Sequence, residues 1–90
     1  MKIATYNIWD DEAGMPYRFR QIIEEIIKTD ADIICLQEVR DEKQHRELAE
    51  NGGYEYAHYQ AQTGLSLLSR VPLLWKEDFE SGMMARVQLA

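Results

Sequence analysis

Two polar residues, Asn7 and Glu38, stand where an oxygen-ligand metal site could form. Asn7 comes late in a segment typical of a β-strand, and Glu38 immediately follows a short apolar run. If the two strands are parallel neighbours, their carboxyl ends meet at the edge where open α/β sheets bind ligands. A carboxylate there suits Mg²⁺, and an amide beside it could hold a second oxygen of the site. The pattern alone leaves open that Glu38 is only a solvated residue and Asn7 a turn former.

The segments around these residues predict the strands and the helix that would position them. Residues 2–9 alternate loosely and suit a strand, and the continuous apolar run 33–37 suits a strand covered on both faces. Between them, the apolar residues of 17–29 fall on one stripe of an amphipathic helix. The order strand, helix, strand predicts a crossover between two parallel strands. Asn7 and Glu38 are therefore expected at the same edge of the sheet.

The remaining sequence predicts one more helix and four more strands. The helix covers 40–51, with Asp41 as its N-cap and Gly52 or Gly53 as its stop, and its thin apolar content predicts a surface position. The strands are predicted at 54–59, 64–69, 73–79 and 83–89, the first two as a hairpin. Without repeats or a linker, residues 1–90 are interpreted as one α/β unit.

Composition narrows the classes of function. The chain has 90 residues, of which 46% are hydrophobic and 29% charged, as in globular rather than disordered proteins. Its net charge is −6, whereas nonspecific DNA binding requires a basic face. A bound cation would therefore have to supply much of the positive charge for a phosphate substrate.

The single cysteine, Cys35, excludes an internal disulfide and is expected to be a buried, reduced thiol. The opening residues resemble a strand rather than a signal peptide, and no apolar run is long enough to span a membrane. These features favour a cytoplasmic protein.

Three segments resemble the endonuclease/exonuclease/phosphatase family. They are Thr-Tyr-Asn-Ile-Trp at 5–9, Ala-Asp-Ile-Ile-Cys-Leu-Gln-Glu-Val at 31–39, and Gly-Leu-Ser-Leu-Leu-Ser-Arg at 64–70, followed by Pro72. They occur in the family's order, and Leu-Gln-Glu-Val is the most specific of them. Together they extend over nearly the whole chain.

The resemblance implies a fold and a chemistry. The fold would be the N-terminal half of a four-layer α/β sandwich, a mixed sheet with two helices, truncated before the C-terminal half. Glu38 would bind Mg²⁺ or Mn²⁺ directly, and Asn7 would support the metal and the phosphate, so both would be catalytic. Water would attack phosphorus in line. Apart from the resemblance, the position of Arg70 at a strand end would allow it to bind the phosphate of the substrate, but a surface ion pair is the favoured interpretation.

The chain departs from the family's pattern in its later motifs. It contains no Gly-Asp-x-Asn and no Ser-Asp-His element, so the downstream catalytic Asp, Asn and His are missing. His45 is expected in the exposed helix and His58 as a cross-strand neighbour in the hairpin, so neither is expected to replace the missing histidine. The isolated chain is therefore predicted to be inactive.

Three functions remain open at this point. The first is the N-terminal part of a metal-dependent hydrolase that acts on nucleic acid, a small phosphodiester or a phosphomonoester. The second is a non-catalytic module that assembles with a partner or with itself through an uncovered sheet face. The third is a plain metal-binding α/β domain with an accidental resemblance.

Several other residues have two possible interpretations. Trp9 and Trp75 are expected in the core, with substrate stacking as the alternative. Packing is the simpler account of the tyrosines at 54, 56 and 59, and Arg86 is a weaker phosphate candidate than Arg70. The acidic residues 10–12 could form a second metal site, but such runs are usually solvated.

Overall fold

The computed structural model describes residues 1–9 and 17–87 and has a mixed α/β fold, as predicted. Within these residues lie two helices and six strands: β1 (Ile3–Asn7), α1 (Tyr17–Thr29), β2 (Ile33–Gln37), α2 (Glu42–Gly52), β3 (Tyr56–Gln60), β4 (Leu65–Ser69), β5 (Leu73–Phe79) and β6 (Gly82–Val87). Strands β1 to β4 form the main sheet, and β5 and β6 form a separate hairpin.

The order of the main sheet is β1-β2-β4-β3. Strands β1 and β2 are parallel, with Asn7 opposite Gln37. Strand β4 is antiparallel to β2 and also to β3, its hairpin partner. The predicted parallel pair, the predicted hairpin and the mixed character of the sheet are all confirmed.

Both helices cover one face of the main sheet. Helix α1 contributes Ile22 and Ile26, one turn apart, which places the predicted apolar stripe against the sheet. The remaining members of the core are mostly aliphatic: Ile8, Ile34, Leu36, Val39, Leu48, Ala49, Tyr54 and Leu68. Ile27 lies at the margin of the stripe and is exposed.

Helix α2 differs from the prediction of a surface helix. Asp41 caps it by accepting a hydrogen bond from the Gln44 backbone, and Gly53 follows it in the left-handed conformation, as expected. The helix nevertheless buries four residues, Gln44, His45, Leu48 and Ala49. Two of these are polar and hydrogen-bonded, so a count of apolar residues underestimates the buried face.

The second face of the main sheet is only partly covered, by the β5–β6 hairpin. His58 Nε2 lies 2.7 Å from Asp78 Oδ1, and the Gln60 side chain donates to the carbonyls of Phe79 and Gly82. An apolar groove of about 390 Å³ lies between hairpin and sheet, lined by residues that include Ile3, Ile33, Cys35, Leu65, Leu67 and Met83. On this face of β2, Ile33 is buried but Cys35 and Gln37 are only partly buried, so β2 is covered more completely on the helix side.

The position of Cys35 on this face corrects the expectation of a buried thiol. Cys35 is half-buried, and desolvation raises the pKa of its thiol. It is therefore a neutral apolar contact on the groove wall rather than a core residue.

The tryptophans are not core residues, which corrects a second expectation. Trp9 is 69% exposed and Trp75 42% exposed. Trp9 lies beyond the end of β1, where strand alternation no longer applies, and Trp75 is on the thin β5–β6 hairpin. Packing is confirmed for Tyr54, which is buried and donates its hydroxyl hydrogen to the Ala31 carbonyl.

Two sequence expectations lie partly or wholly outside the described residues. The acidic run 10–12 is one, and the last residues of the predicted strand 83–89 are the other. Among the described helices, neither has the length and apolarity needed to cross a membrane.

Candidate metal centre

Asn7 and Glu38 lie at the carboxyl ends of adjacent parallel strands. Asn7 is opposite Gln37, and Glu38 is the next residue of the chain. From the usual strand spacing and rise, their Cα atoms are about 6 Å apart. Both side chains are exposed. The two residues that the sequence singled out therefore occupy one edge of the sheet, where α/β proteins bind ligands.

The amide of Asn7 is held in place by the chain that follows it. Its Oδ1 accepts a hydrogen bond of 2.8 Å from the backbone N–H of Trp9. A carbonyl oxygen has two lone pairs, so Oδ1 can accept one further interaction. The turn fixes the orientation of the amide and leaves it able to bind.

Glu38 has an uncommon backbone conformation, with φ +62°. This left-handed conformation is unfavourable by roughly 1–2 kcal/mol for a residue with a side chain. It is found where surrounding contacts impose it. Among the residues that the structure describes, no side chain or backbone group hydrogen-bonds the Glu38 carboxylate. The conformation directs the chain out of β2 and leaves an exposed carboxylate, without a partner in the described part of the chain, at the edge.

Val39, the next residue, anchors this conformation. It is buried, its N–H donates to the Gly64 carbonyl at 2.9 Å, and its carbonyl accepts from the Tyr59 hydroxyl at 2.8 Å. Gly64 has φ +72°, and a Cβ there would lie 3.2 Å from the Val39 carbonyl oxygen. The exposed carboxylate is therefore attached to a backbone fixed from both sides.

A buried polar cluster lies behind Tyr59. The His45 ring stacks on the Tyr59 ring with centroids 5.2 Å apart, and His45 Nδ1 lies 2.6 Å from Ser66 Oγ. Desolvation lowers the pKa of His45, against a smaller opposing effect of Glu42. His45 is thus buried rather than exposed as predicted, and it remains unsuited to contact a phosphate.

Sequence reasoning missed the residues that support Glu38. Gly64 could have been found from its position in a turn, where glycine commonly supplies a positive φ. The roles of Tyr59, His45 and Ser66 had no local signal, because they depend on α2 packing against β3 and β4.

The other predicted residues lie elsewhere. His58 is opposite Leu67, as expected of a cross-strand neighbour. Arg70 follows β4 at the amino end of β2, where its backbone N–H donates to Asp32 and its guanidinium pairs with Asp30 at 2.7 Å. The structure brings Asn7 and Glu38 together, but it does not bring Arg70 to them.

The donors at the carboxyl edge fit part of a magnesium site. One carboxylate and one amide oxygen are hard oxygen ligands, and Mg²⁺ commonly uses one or two carboxylates and retains several waters. Within the described residues there is no group of three or more His, Cys, Asp or Glu that could hold a metal ion. The edge can therefore supply part of a coordination shell.

The helix-covered mixed sheet, with polar residues at the carboxyl ends of β1 and β2, defines an α/β protein of the class that commonly binds ligands there. A sequence model of the Endonuclease/Exonuclease/phosphatase family matches residues 4–82, and the chain belongs to this family. The resemblance found in the sequence is thus confirmed. The family suggests a phosphoester hydrolase, and its enzymes generally use divalent metals. No curated protein matches the sequence.

Proposed function

We propose that this chain supplies the first metal ligands of a divalent-metal-dependent phosphoester hydrolase. Glu38 binds Mg²⁺ or Mn²⁺, and Asn7 supports the metal and the phosphate. The observation that carries the proposal is the parallel pairing of β1 with β2, in a register that brings residues 7 and 38 to the same end of the two strands. The Glu38 carboxylate supports it further, because it is attached to an anchored backbone and has no partner within residues 1–9 and 17–87.

The chemistry divides between the metal and the chain. When bound, the cation stabilises negative charge on the phosphate and on the leaving oxygen. The Glu38 carboxylate holds the cation, and the fixed Val39 backbone restricts the freedom of that carboxylate. The Asn7 amide offers its N–H₂ donors to a phosphate oxygen while Trp9 fixes the orientation of Oδ1. The net charge of −6 favours a bound cation as the main source of positive charge for phosphate binding.

Manganese titration observed by NMR tests the metal assignment. We expect Mn²⁺ to broaden the signals of Asn7, Glu38 and Val39, and we expect Glu38→Gln to abolish that broadening. Asp30→Asn is the matched control, because it removes an exposed carboxylate near the amino end of β2, at the opposite end of the strand from Glu38. Equal broadening in wild type and Glu38→Gln would contradict the proposal.

We further propose that the 90-residue chain alone does not turn over substrate. It has no Gly-Asp-x-Asn or Ser-Asp-His element to position water and contact the phosphate. With bis(p-nitrophenyl) phosphate and Mg²⁺ or Mn²⁺, its rate should equal that of Glu38→Ala. Hydrolysis by the wild type that Glu38→Ala abolishes would refute this part of the proposal and would locate a full active site within these residues.

The second candidate function is a non-catalytic module that assembles with a partner or with another copy. The open face of the main sheet favours it, because the groove beside the β5–β6 hairpin is apolar and β1 is an edge strand. Ile3, on this face, is 66% exposed.

Sedimentation equilibrium distinguishes assembly through this face from a monomer. Wild type should form a dimer or larger species, and Ile3→Lys should shift the chain toward monomer. Ile27→Lys is the matched control, since Ile27 is 54% exposed on helix α1. A wild-type chain that stays monomeric at high concentration would contradict assembly with itself.

A further inference from the structure

Trp9 is a large aromatic side chain exposed beside the candidate metal centre. It is 69% exposed, more than any other large hydrophobic side chain described. It lies two residues after Asn7, so their Cα atoms are at most about 7 Å apart. An exposed indole loses the free energy that burial would provide. Its position next to the phosphate-binding edge makes substrate contact a reason for that exposure.

The contacts around Trp9 hold it in this exposed position. Its backbone N–H donates to Asn7 Oδ1, and its φ of +48° is uncommon for a bulky residue. The Arg18 guanidinium donates to the Trp9 carbonyl at 2.5 Å and to the Ile8 carbonyl at 2.6 Å. These hydrogen bonds fix the residue independently of any burial of its ring.

Arg18 also interacts with the ring of Trp9. Its guanidinium carbon lies over the indole, 5.4 Å from the ring centroid, within the range of a cation–π interaction. Among the described residues, no second ring or cation lies over Trp9. As far as the structure describes the chain, the indole therefore has an arginine on one side and a surface available for stacking.

We infer that Trp9 is a stacking platform for the base of a small nucleotide whose phosphate lies at Asn7 and Glu38. This inference rests on the proposed function of those two residues. Bases stack on aromatic side chains with about 1–3 kcal/mol per base and little dependence on sequence. The guanidinium on the indole adds a cation that favours an anionic ligand nearby.

Charge selects the small nucleotide over a nucleic acid. The chain carries −6 overall, and Arg18 already donates to two backbone carbonyls. A polynucleotide needs a basic surface to offset many phosphates, whereas a mononucleotide needs one cation site. Trp9 is thus the specificity-determining residue, and it distinguishes phosphoesters with a base from those without.

Fluorescence titration of a single-tryptophan protein tests the inference. In the Trp75→Phe variant, AMP with Mg²⁺ should quench the emission of Trp9, and ribose 5-phosphate should not. By calorimetry, Trp9→Leu should weaken AMP binding by about 5- to 150-fold, from the stacking range, and leave ribose 5-phosphate binding unchanged. Trp75→Leu is the matched control and should leave both affinities unchanged.

The outcomes separate this inference from the function on which it rests. Glu38→Gln should weaken AMP and ribose 5-phosphate alike, and its failure to do so would refute the metal assignment. Absence of quenching by AMP, or equal AMP affinity in Trp9→Leu and wild type, would refute the platform. A single-stranded oligonucleotide that depends on Trp9 while AMP does not would overturn the assignment to a small nucleotide.

Discussion

The two ends of the main sheet carry similar polar residues but differ in how those residues are paired. At the amino end of β2, Asp30 pairs with Arg70 at 2.7 Å, and the Arg70 guanidinium also lies over the Tyr54 ring. Asp32 accepts from the Lys2 backbone N–H at 2.7 Å. At the carboxyl end, the Glu38 carboxylate is unpaired within the described part of the chain. The carboxylates of the amino end are therefore paired within the fold, whereas Glu38 is the residue that we propose as a metal ligand.

The comparison also shows that backbone strain alone does not identify a functional residue. Asp30 and Glu38 both have positive φ, +52° and +62°. Asp30 ends helix α1, where its N–H donates to the Ile26 and Ile27 carbonyls, and this explains its conformation. Glu38 has a comparable conformation, and its carboxylate has no partner among residues 1–9 and 17–87; this combination is what suggested binding to us.

The largest effect on the carboxyl end should come from His45→Ala. The substitution removes a buried ring and leaves the Ser66 hydroxyl without its partner, which should lower the free energy of unfolding by about 2–3 kcal/mol. Urea denaturation measures the loss. Arg46→Ala, at an exposed position on the same helix, should change stability by less than about 0.5 kcal/mol. Similar losses in both variants would contradict a supporting role for the cluster.

The same histidine should make the fold sensitive to mild acid. Burial lowers the pKa of His45 below its ordinary value of 6.5, so the folded state favours the neutral ring. As pH falls below about 6.5, the unfolded chain takes up a proton first, and stability declines until the folded pKa is passed. The difference in unfolding free energy between wild type and His45→Ala should therefore shrink between about pH 7.5 and 5.5. A constant difference would show that His45 does not titrate in this way.

Most of the fold could be predicted because its signals are local. The apolar run of β2, the stripe of α1 and the Asp41 cap each depend on neighbouring residues. The positions of Trp9 and His45 could not be predicted in this way. They depend on where a strand ends and on which helix face meets the sheet, and tertiary packing decides both.

The candidate site likewise contains residues that the local sequence predicts and residues that only tertiary packing brings there. Asn7 and Glu38 are predictable from parallel strand order, because equal positions in parallel strands meet at one edge. The support of Glu38 by Tyr59 and Gly64 involves residues more than twenty positions away in the sequence. The pairing of Arg70 with Asp30 likewise follows from the antiparallel register of β4, which directs Arg70 away from Glu38.

Gly64→Ala should be the next most damaging change, at about 2 kcal/mol. Alanine carries the cost of a positive φ and brings its Cβ to 3.2 Å from the Val39 carbonyl oxygen. Gly53→Ala is the matched control, because Gly53 has φ +79° and no atom within 4 Å of its Cβ position. Gly53→Ala should cost about 1 kcal/mol and leave Mn²⁺ broadening intact, whereas Gly64→Ala should also weaken the broadening. If Gly64→Ala and Gly53→Ala affected Mn²⁺ broadening equally, Gly64 would not be responsible for the conformation of Glu38.

Tyr59→Phe should cost about 1 kcal/mol, because it deletes the hydroxyl that donates to the Val39 carbonyl. The ring that stacks on His45 is retained, so the buried cluster keeps its packing. Hydrogen exchange should accelerate at residues 38–40 and stay unchanged around Asp32. Faster exchange at both ends of the sheet would indicate general destabilisation instead of a local effect at Glu38.

The smallest effect should come from Arg70→Gln at the amino end. The Asp30 contact raises the pKa of Arg70, but the pair is exposed, so its loss should cost about 0.5 kcal/mol or less. Because Arg70 lies at the opposite end of β2 from Glu38, Mn²⁺ broadening and AMP affinity should match those of the wild type. A loss of AMP affinity in Arg70→Gln with normal stability would restore Arg70 as a phosphate ligand. Such a result would also require Arg70 and Glu38 to lie closer together than the register of β2 and β4 allows.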